Sequence, residues 1–173
     1  HEANSDRHRH AIVERARKAG IKLASHDDTT LEHVAESIGD GVAIAEFPTT
    51  AEAARASAEG GIAVMMGAPN IIRGGSHSGN VAAVELARAG TLDVLSSDYV
   101  PSSLLHAAFE LPRLVAGLSL PAAIATVTAN PAAAAGLDDR GVIEAGRRAD
   151  LVRVHRGPIP VVRGVWRGGV RVC

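Results

Sequence analysis

The chain has 173 residues, 46% of them hydrophobic, with a formal net charge of -1 at pH 7. That length supports one ordinary domain with a real core, and near-neutral charge argues against a nucleic-acid or membrane-surface protein, both of which usually carry a basic face. The single cysteine, Cys173, excludes a disulfide framework; with no apolar run of membrane-spanning length and no signal peptide, a soluble cytoplasmic protein is expected.

In chain order, Arg7 to Ala19 reads as a helix. Four short apolar runs follow, Ile21-Ala24, Val42-Ala45, Ile62-Met66 and Leu92-Leu95, each of a length suited to a buried strand. Helical patterns lie between them, over Thr30-Ile38, Thr50-Gly60 and Asn80-Gly90. Thr30 with Glu32 and Thr49 with Glu52 look like helix starts, and Gly39, Gly60 and Gly90 like stops. This is a succession of βα units on a parallel sheet. Beyond Asp98 the spacing predicts helices over Ser102-Gly117 and Leu120-Thr128, and a third short one after Asn130-Pro131. From Gly141 onward the pattern becomes short β segments, Asp150-His155, Val161-Arg167 and Val170-Cys173, with Gly168-Gly169 as a hairpin turn. A boundary is therefore expected near residue 138.

Every strand of the parallel set runs directly into polar residues: His26-Asp27-Asp28, Glu46, Asn70 and onward, and Ser96-Ser97-Asp98. Functional groups of parallel α/β sheets and barrels collect at the C-terminal ends of the strands. Asp27, Asp28, Thr29 and Ser97 are equally suited to capping the helices that follow. His and Glu are poor caps, and Asp98 stands several residues ahead of its helix. His26, Glu46 and Asp98 are thus candidate ligands of a hard or borderline divalent metal. Asp98 is also the candidate catalytic group, able to accept a proton from an attacking water. Asp27 and Asp28 are candidates to orient His26, or to cap the next helix.

The stretch GAPNIIRGGSHSGN, residues 67–80, carries four glycines amid donors. Asn70, Arg73, Ser76, His77 and Asn80 are its candidate substrate-binding residues, Arg73 and His77 offering charge-assisted hydrogen bonds. A solvated, flexible surface loop is the alternative. It is not a P-loop, since no G-x-x-x-x-G-K-[ST] is present. His8-Arg9-His10 is formally H-x-H, but it opens a helix, where side chains two apart diverge.

LASHDDTT, AEFPTT, VMMGAPNIIRGGSHSGN, LSSDYVPSSLL and the closing GVIEAGRRADLVRV resemble, nearly block for block, one branch of the amidohydrolase superfamily. That branch comprises the alpha-D-ribose 1-methylphosphonate 5-triphosphate diphosphatases of the carbon–phosphorus lyase pathway. The resemblance implies an α/β fold: the C-terminal half of a metal-dependent hydrolase TIM-like (β/α)8 barrel, about strands five to eight, over residues 1–138. Part of a small β-sandwich domain would follow over 139–173. It implies that His26 is the metal-binding histidine ending barrel strand five and Asp98 the aspartate ending strand eight. Glu46 stands where the wider superfamily usually has a histidine. The loop after strand seven would face the triphosphate or phosphonate.

The implied reaction is divalent-metal-dependent hydrolysis of a small phosphorylated ribosyl phosphonate, releasing diphosphate, with zinc, iron or manganese compatible with the ligands. The H-x-H of the family's strand one and its strand-four ligand are not found here, so a fragment of a longer enzyme is expected, inactive by itself. The alternatives are another amidohydrolase, such as an N-acyl deacetylase or cyclic amidase, and an inactive half-barrel that binds a phosphorylated ligand. No nucleic acid or membrane partner is expected, and a homo-oligomer stays open.

Overall fold

The computed structural model describes residues 2–76 and 78–173. Helix α1 (Glu2–Ala19) leads into β1 (Leu23–His26), α2 (Leu31–Asp40), β2 (Val42–Glu46), α3 (Ala51–Glu59) and β3 (Ala63–Gly67). Two short helices, α4 (Ala68–Arg73) and α5 (Ala83–Ala89), precede β4 (Val94–Ser96). Then come α6 (Ser103–Leu114), α7 (Leu120–Ala125) and α8 (Ala129–Ala134). Strands β1 to β4 form one parallel sheet in sequence order. The four expected βα units are present, with each strand displaced toward its polar end by up to two residues.

Local chemistry sets most boundaries. Thr30 caps α2 by accepting a hydrogen bond from the His33 amide, and Gly41 at φ 74° ends it. Thr50, and not the expected Thr49, caps α3 by accepting from the Ala53 amide at 3.1 Å. Thr49 instead donates its hydroxyl proton to the Thr29 hydroxyl at 2.8 Å, joining the loops after β1 and β2. The first part of the expected 67–80 loop is helical. Pro69 sits in the first turn of α4, where its missing amide costs nothing, and Gly74 at φ 81° stops the helix after six residues. Helix α6 is shorter than expected, ending at Leu114 just after Pro112, which removes a helical hydrogen bond.

The core lies between the sheet and the helices that follow β3 and β4. Val64, Met66 and Leu95 of the sheet meet Ile71, Leu86 and Leu111, with alanines filling the remaining space. Leu86 and Leu111 are essentially inaccessible, and each such burial stabilises by about 1.5–3 kcal/mol. With so few aromatics, close approach through Ala54, Ala68, Ala83, Ala107 and Ala123 replaces bulk as the means of packing. Toward the β1 edge of the sheet, Arg9 fastens α1 to α2. Its Nε donates to Asp40 Oδ2 at 2.6 Å, and a second guanidinium nitrogen pairs with Glu36.

A second, antiparallel sheet follows, β5 (Leu151–His155), β6 (Val161–Arg167) and β7 (Val170–Arg171). Gly168 and Gly169 take positive φ, as a two-residue hairpin turn requires. Asp150 accepts the Gly168 amide at 2.8 Å and pairs with Arg148 at 3.0 Å, so it braces this turn. Arg153 and Arg171 lie over the Trp166 ring at 6.0 and 5.9 Å. No helix among the described residues is long and apolar enough to cross a membrane.

Candidate functional site

Parallel pairing places His26 directly opposite Glu46 at the C-terminal ends of β1 and β2. Residues in register point to the same face of a sheet, and His26 Nε2 lies 3.9 Å from Glu46 Oε2. The other ring nitrogen, Nδ1, lies 3.0 Å from Asp27 Oδ2. A proton on Nδ1, held by that carboxylate, leaves the Nε2 lone pair free for a cation. Phe47 meets the imidazole edge-on, with ring centres 5.5 Å apart and planes at 83°, and so restricts its rotation.

Asp27, Phe47 and Asp98 have φ of 60°, 55° and 50°, and are the non-glycine residues with positive φ among those described. Each follows a strand of the parallel sheet within two residues. The cause is visible for two of them. The Asp27 amide still donates to Glu46 O at 3.0 Å and the Phe47 amide to Met65 O at 2.9 Å. The chain therefore completes its sheet hydrogen bonding and then turns at once. Such conformations cost of order 1–3 kcal/mol for non-glycine residues and concentrate at functional sites.

Asp98 occupies the corresponding place beyond β4. Its Oδ1 accepts the Tyr99 amide at 2.8 Å. Its Oδ2 rests against Gly67, where a Cβ would come within 2.7 Å of it. The glycine that ends β3 thus makes room for this carboxylate. A cavity of about 390 Å³ opens beside it, with His26, Asp27 and Phe47 on one side and Arg73, Tyr99 and Asp98 on another. Ser76, Ser78 and Asn80 also line it. Arg73 donates from a guanidinium nitrogen to the Tyr99 hydroxyl at 2.9 Å.

The sequence candidates are thus distributed unevenly. His26, Asp27, Asp98, Asn70, Arg73, Ser76 and Asn80 share the cavity, whereas Glu46 is not in its lining and lies beside His26. His77 lies outside the described residues. Asp28 does not touch His26. It is 8% exposed, and its Oδ2 accepts hydroxyl protons from Ser25 at 2.6 Å and Ser37 at 3.1 Å, tying α2 to β1. Asn70 uses its Oδ1 to accept the Ala83 amide at 2.9 Å.

Phe47 and Tyr99 were not among the sequence candidates. A signal was available, because the chain has only two Phe, one Tyr and one Trp. Two of those four stand immediately after Glu46 and Asp98. Phe47 also packs against the core, whereas Tyr99 is exposed and meets Arg73.

A divalent cation can be tested against this donor set. The pair His26 and Glu46 is right in kind, an imidazole with a free nitrogen beside a carboxylate. The set is short in number, since no group of three or more His, Cys, Asp or Glu is placed to hold a metal among the described residues. The residues fit a cation as part of a ligand set. Replacing Asp27 with Asn removes the charge that fixes the His26 proton. Metal affinity of the complete protein is expected to fall about tenfold, read by competition with a chelating dye.

The model of the amidohydrolase family matches residues 2–172. The chain belongs to the amidohydrolase family. It is 56% identical over 170 residues to the alpha-D-ribose 1-methylphosphonate 5-triphosphate diphosphatase of Escherichia coli (strain K12), covering 97% of this chain and 45% of that protein. It is 41% identical over 66 residues to the imidazolonepropionase of Deinococcus deserti, a match covering 32% of this chain and 16% of that protein. Among solved structures, the A. niger ochratoxinase superposes with a TM-score of 0.65 at 19% identity, over 92% of this chain and 44% of that one. An amidohydrolase from Thermotoga maritima MSB8 superposes with a TM-score of 0.54 at 21% identity, over 99% of this chain and 55% of that one. These likenesses show the fold: the parallel units are half of an amidohydrolase (β/α)8 barrel. This amidohydrolase chain spans about half the length of the solved relatives, and less than half of the diphosphatase.

Proposed function

We propose that this chain forms the His26–Asp98 half of a metal-dependent hydrolase that cleaves the triphosphate of alpha-D-ribose 1-methylphosphonate 5-triphosphate. Residues 1–138 would supply strands five to eight of the barrel and 139–173 part of a β-sandwich. The observation that carries the reading is one cavity that joins Asp98 and the His26–Asp27 pair to Arg73 and a donor-bearing loop. A group able to take a proton from water thereby faces groups suited to phosphate oxygens. The 56% identity to the diphosphatase over nearly all of this chain supports the choice of substrate.

His26 and Glu46 would bind the cation as part of a set completed by the rest of the protein, with Asp98, in the same cavity as His26, as a further candidate ligand. Bound there, a divalent ion supplies charge neutralisation and acidifies water. Asp98 accepts a proton from the attacking water as its oxygen forms a bond to phosphorus. The anhydride bond between the first and second phosphorus breaks, leaving a 5-phosphate on the ribose and releasing diphosphate. Arg73, with the hydroxyls of Ser76 and Ser78 and the amide of Asn80, meets the charge of the triphosphate chain.

An amidase reading has one observation in its favour, the shorter match to an imidazolonepropionase. Arg73→Ala separates the two in the complete protein. A charge-assisted hydrogen bond is worth about 1.5–3 kcal/mol, so KM for the triphosphate is expected to rise about 30-fold. Steady-state kinetics on an uncharged amide would show no such rise, and an unchanged KM for the triphosphate removes Arg73 from the site.

A further inference from the structure

One residue holds the neck of the segment that borders the cavity. Asn70 lies in α4, three residues beyond the end of β3. Its backbone carbonyl accepts the amide of Gly75 at 3.0 Å, where the chain leaves α4. Its side-chain Oδ1 accepts the amide of Ala83 at 2.9 Å, where the chain enters α5. Ala82, at the N-cap position of α5, offers no side-chain acceptor, and Ala83 is fully buried. Without Asn70 that amide would be an orphaned buried donor. A second tie, from the Val81 amide to Thr49 O at 3.0 Å, joins the returning chain to the loop after β2.

We infer that Asn70 is a positioning residue: it closes the chain between Gly75 and Ala83 and thereby sets where Ser76, Ser78 and Asn80 stand around the cavity. This deepens the anion-site reading given above and rests on it. It also changes the role expected of Asn70, whose Oδ1 is committed to the fold and not to a ligand. The amide nitrogen is left, so the clamp is tested at the Ala83 amide itself. Aspartate keeps an acceptor for Ala83 and suits a helix N-terminus. It also replaces a donor by a negative charge, which an anionic ligand would reject.

The experiment compares Asn70→Ala and Asn70→Asp in the complete protein, by hydrogen exchange across 75–83 and by steady-state kinetics with the triphosphate. In the Ala variant, exchange at the Ala83 amide is expected to quicken about tenfold, as loss of one buried hydrogen bond implies. KM should rise about tenfold with a smaller change in kcat. The Asp variant should restore the exchange rate to within about threefold of the native one, while its charge at the cavity wall raises KM by itself. Unchanged protection of Ala83 in the Ala variant overturns the clamp. So does an Asp variant in which the Ala83 amide exchanges about tenfold or more faster than in the native protein, and this second arm stands even where the Ala variant fails to fold. Exchange at Ala83 is independent of turnover. Quickened in Ala and restored in Asp, it supports the clamp even with no triphosphate hydrolysis, a result that counts instead against the diphosphatase reading.

Discussion

Asp98→Asn is expected to lower kcat of the complete protein about a thousandfold, within the range set by loss of a positioned general base. The substitution is conservative in shape. Its remaining carbonyl oxygen can still accept the Tyr99 amide, as Asp98 Oδ1 does at 2.8 Å, so the turn after β4 should persist. What disappears is the carboxylate that takes the proton of the attacking water. Stopped assays of diphosphate release give kcat, and far-ultraviolet circular dichroism verifies that the fold is retained. A variant retaining a tenth or more of native kcat would show that the proton goes elsewhere.

Gly67→Ala tests the same carboxylate without touching it. The backbone at Gly67 has φ -74°, which any residue adopts, so alanine brings no conformational strain. Its methyl, however, would meet Asp98 Oδ2 at 2.7 Å and Asp98 Cβ at 3.2 Å. The first distance is too short and the second is tight, and the side chain of Asp98 has little room to bend away while its backbone stays in the left-handed region. A displacement of about 1 Å at a reacting group can cost about a hundredfold in rate. The expected result is a kcat about a hundredfold lower with KM little altered. A native rate in this variant would mean that the position of Asp98 is not critical.

The parallel sheet was legible because each of its strands is a continuous apolar run between helical patterns. The ends were less so. Hydropathy reports burial, whereas a strand ends where its hydrogen bonds end. His26 and Glu46 are polar yet still paired, so both lay beyond the runs that marked their strands. The six-residue helix Ala68–Arg73 was missed because fewer than two turns carry no usable periodicity. Thr49 and Thr50 are chemically equivalent as caps, and only the path of the chain selects Thr50.

At the site, residue type told where chemistry gathers but not how the residues divide the work. Asp27 and Asp28 are identical neighbours in sequence. One faces the His26 ring, and the other turns inward because Ser37, nine residues away, offers it a buried hydroxyl. Asn70 stands among donors in the sequence, and only the folded chain gives its Oδ1 an amide on the next helix as partner. Tyr99 needed Arg73 beside it to acquire a meaning, and that contact crosses 26 positions of the chain.

The most direct measurement uses the complete protein, stripped of metal by a chelator and then resupplied with zinc, iron(II) or manganese. Phosphorus NMR follows its products from the ribosyl triphosphate, and a parallel assay offers it simple and cyclic amides. Metal-dependent appearance of diphosphate with a ribosyl 5-phosphate, and no amide cleavage, is the result expected of a triphosphate diphosphatase. Hydrolysis of amides alone, with the triphosphate untouched under every metal, would contradict it.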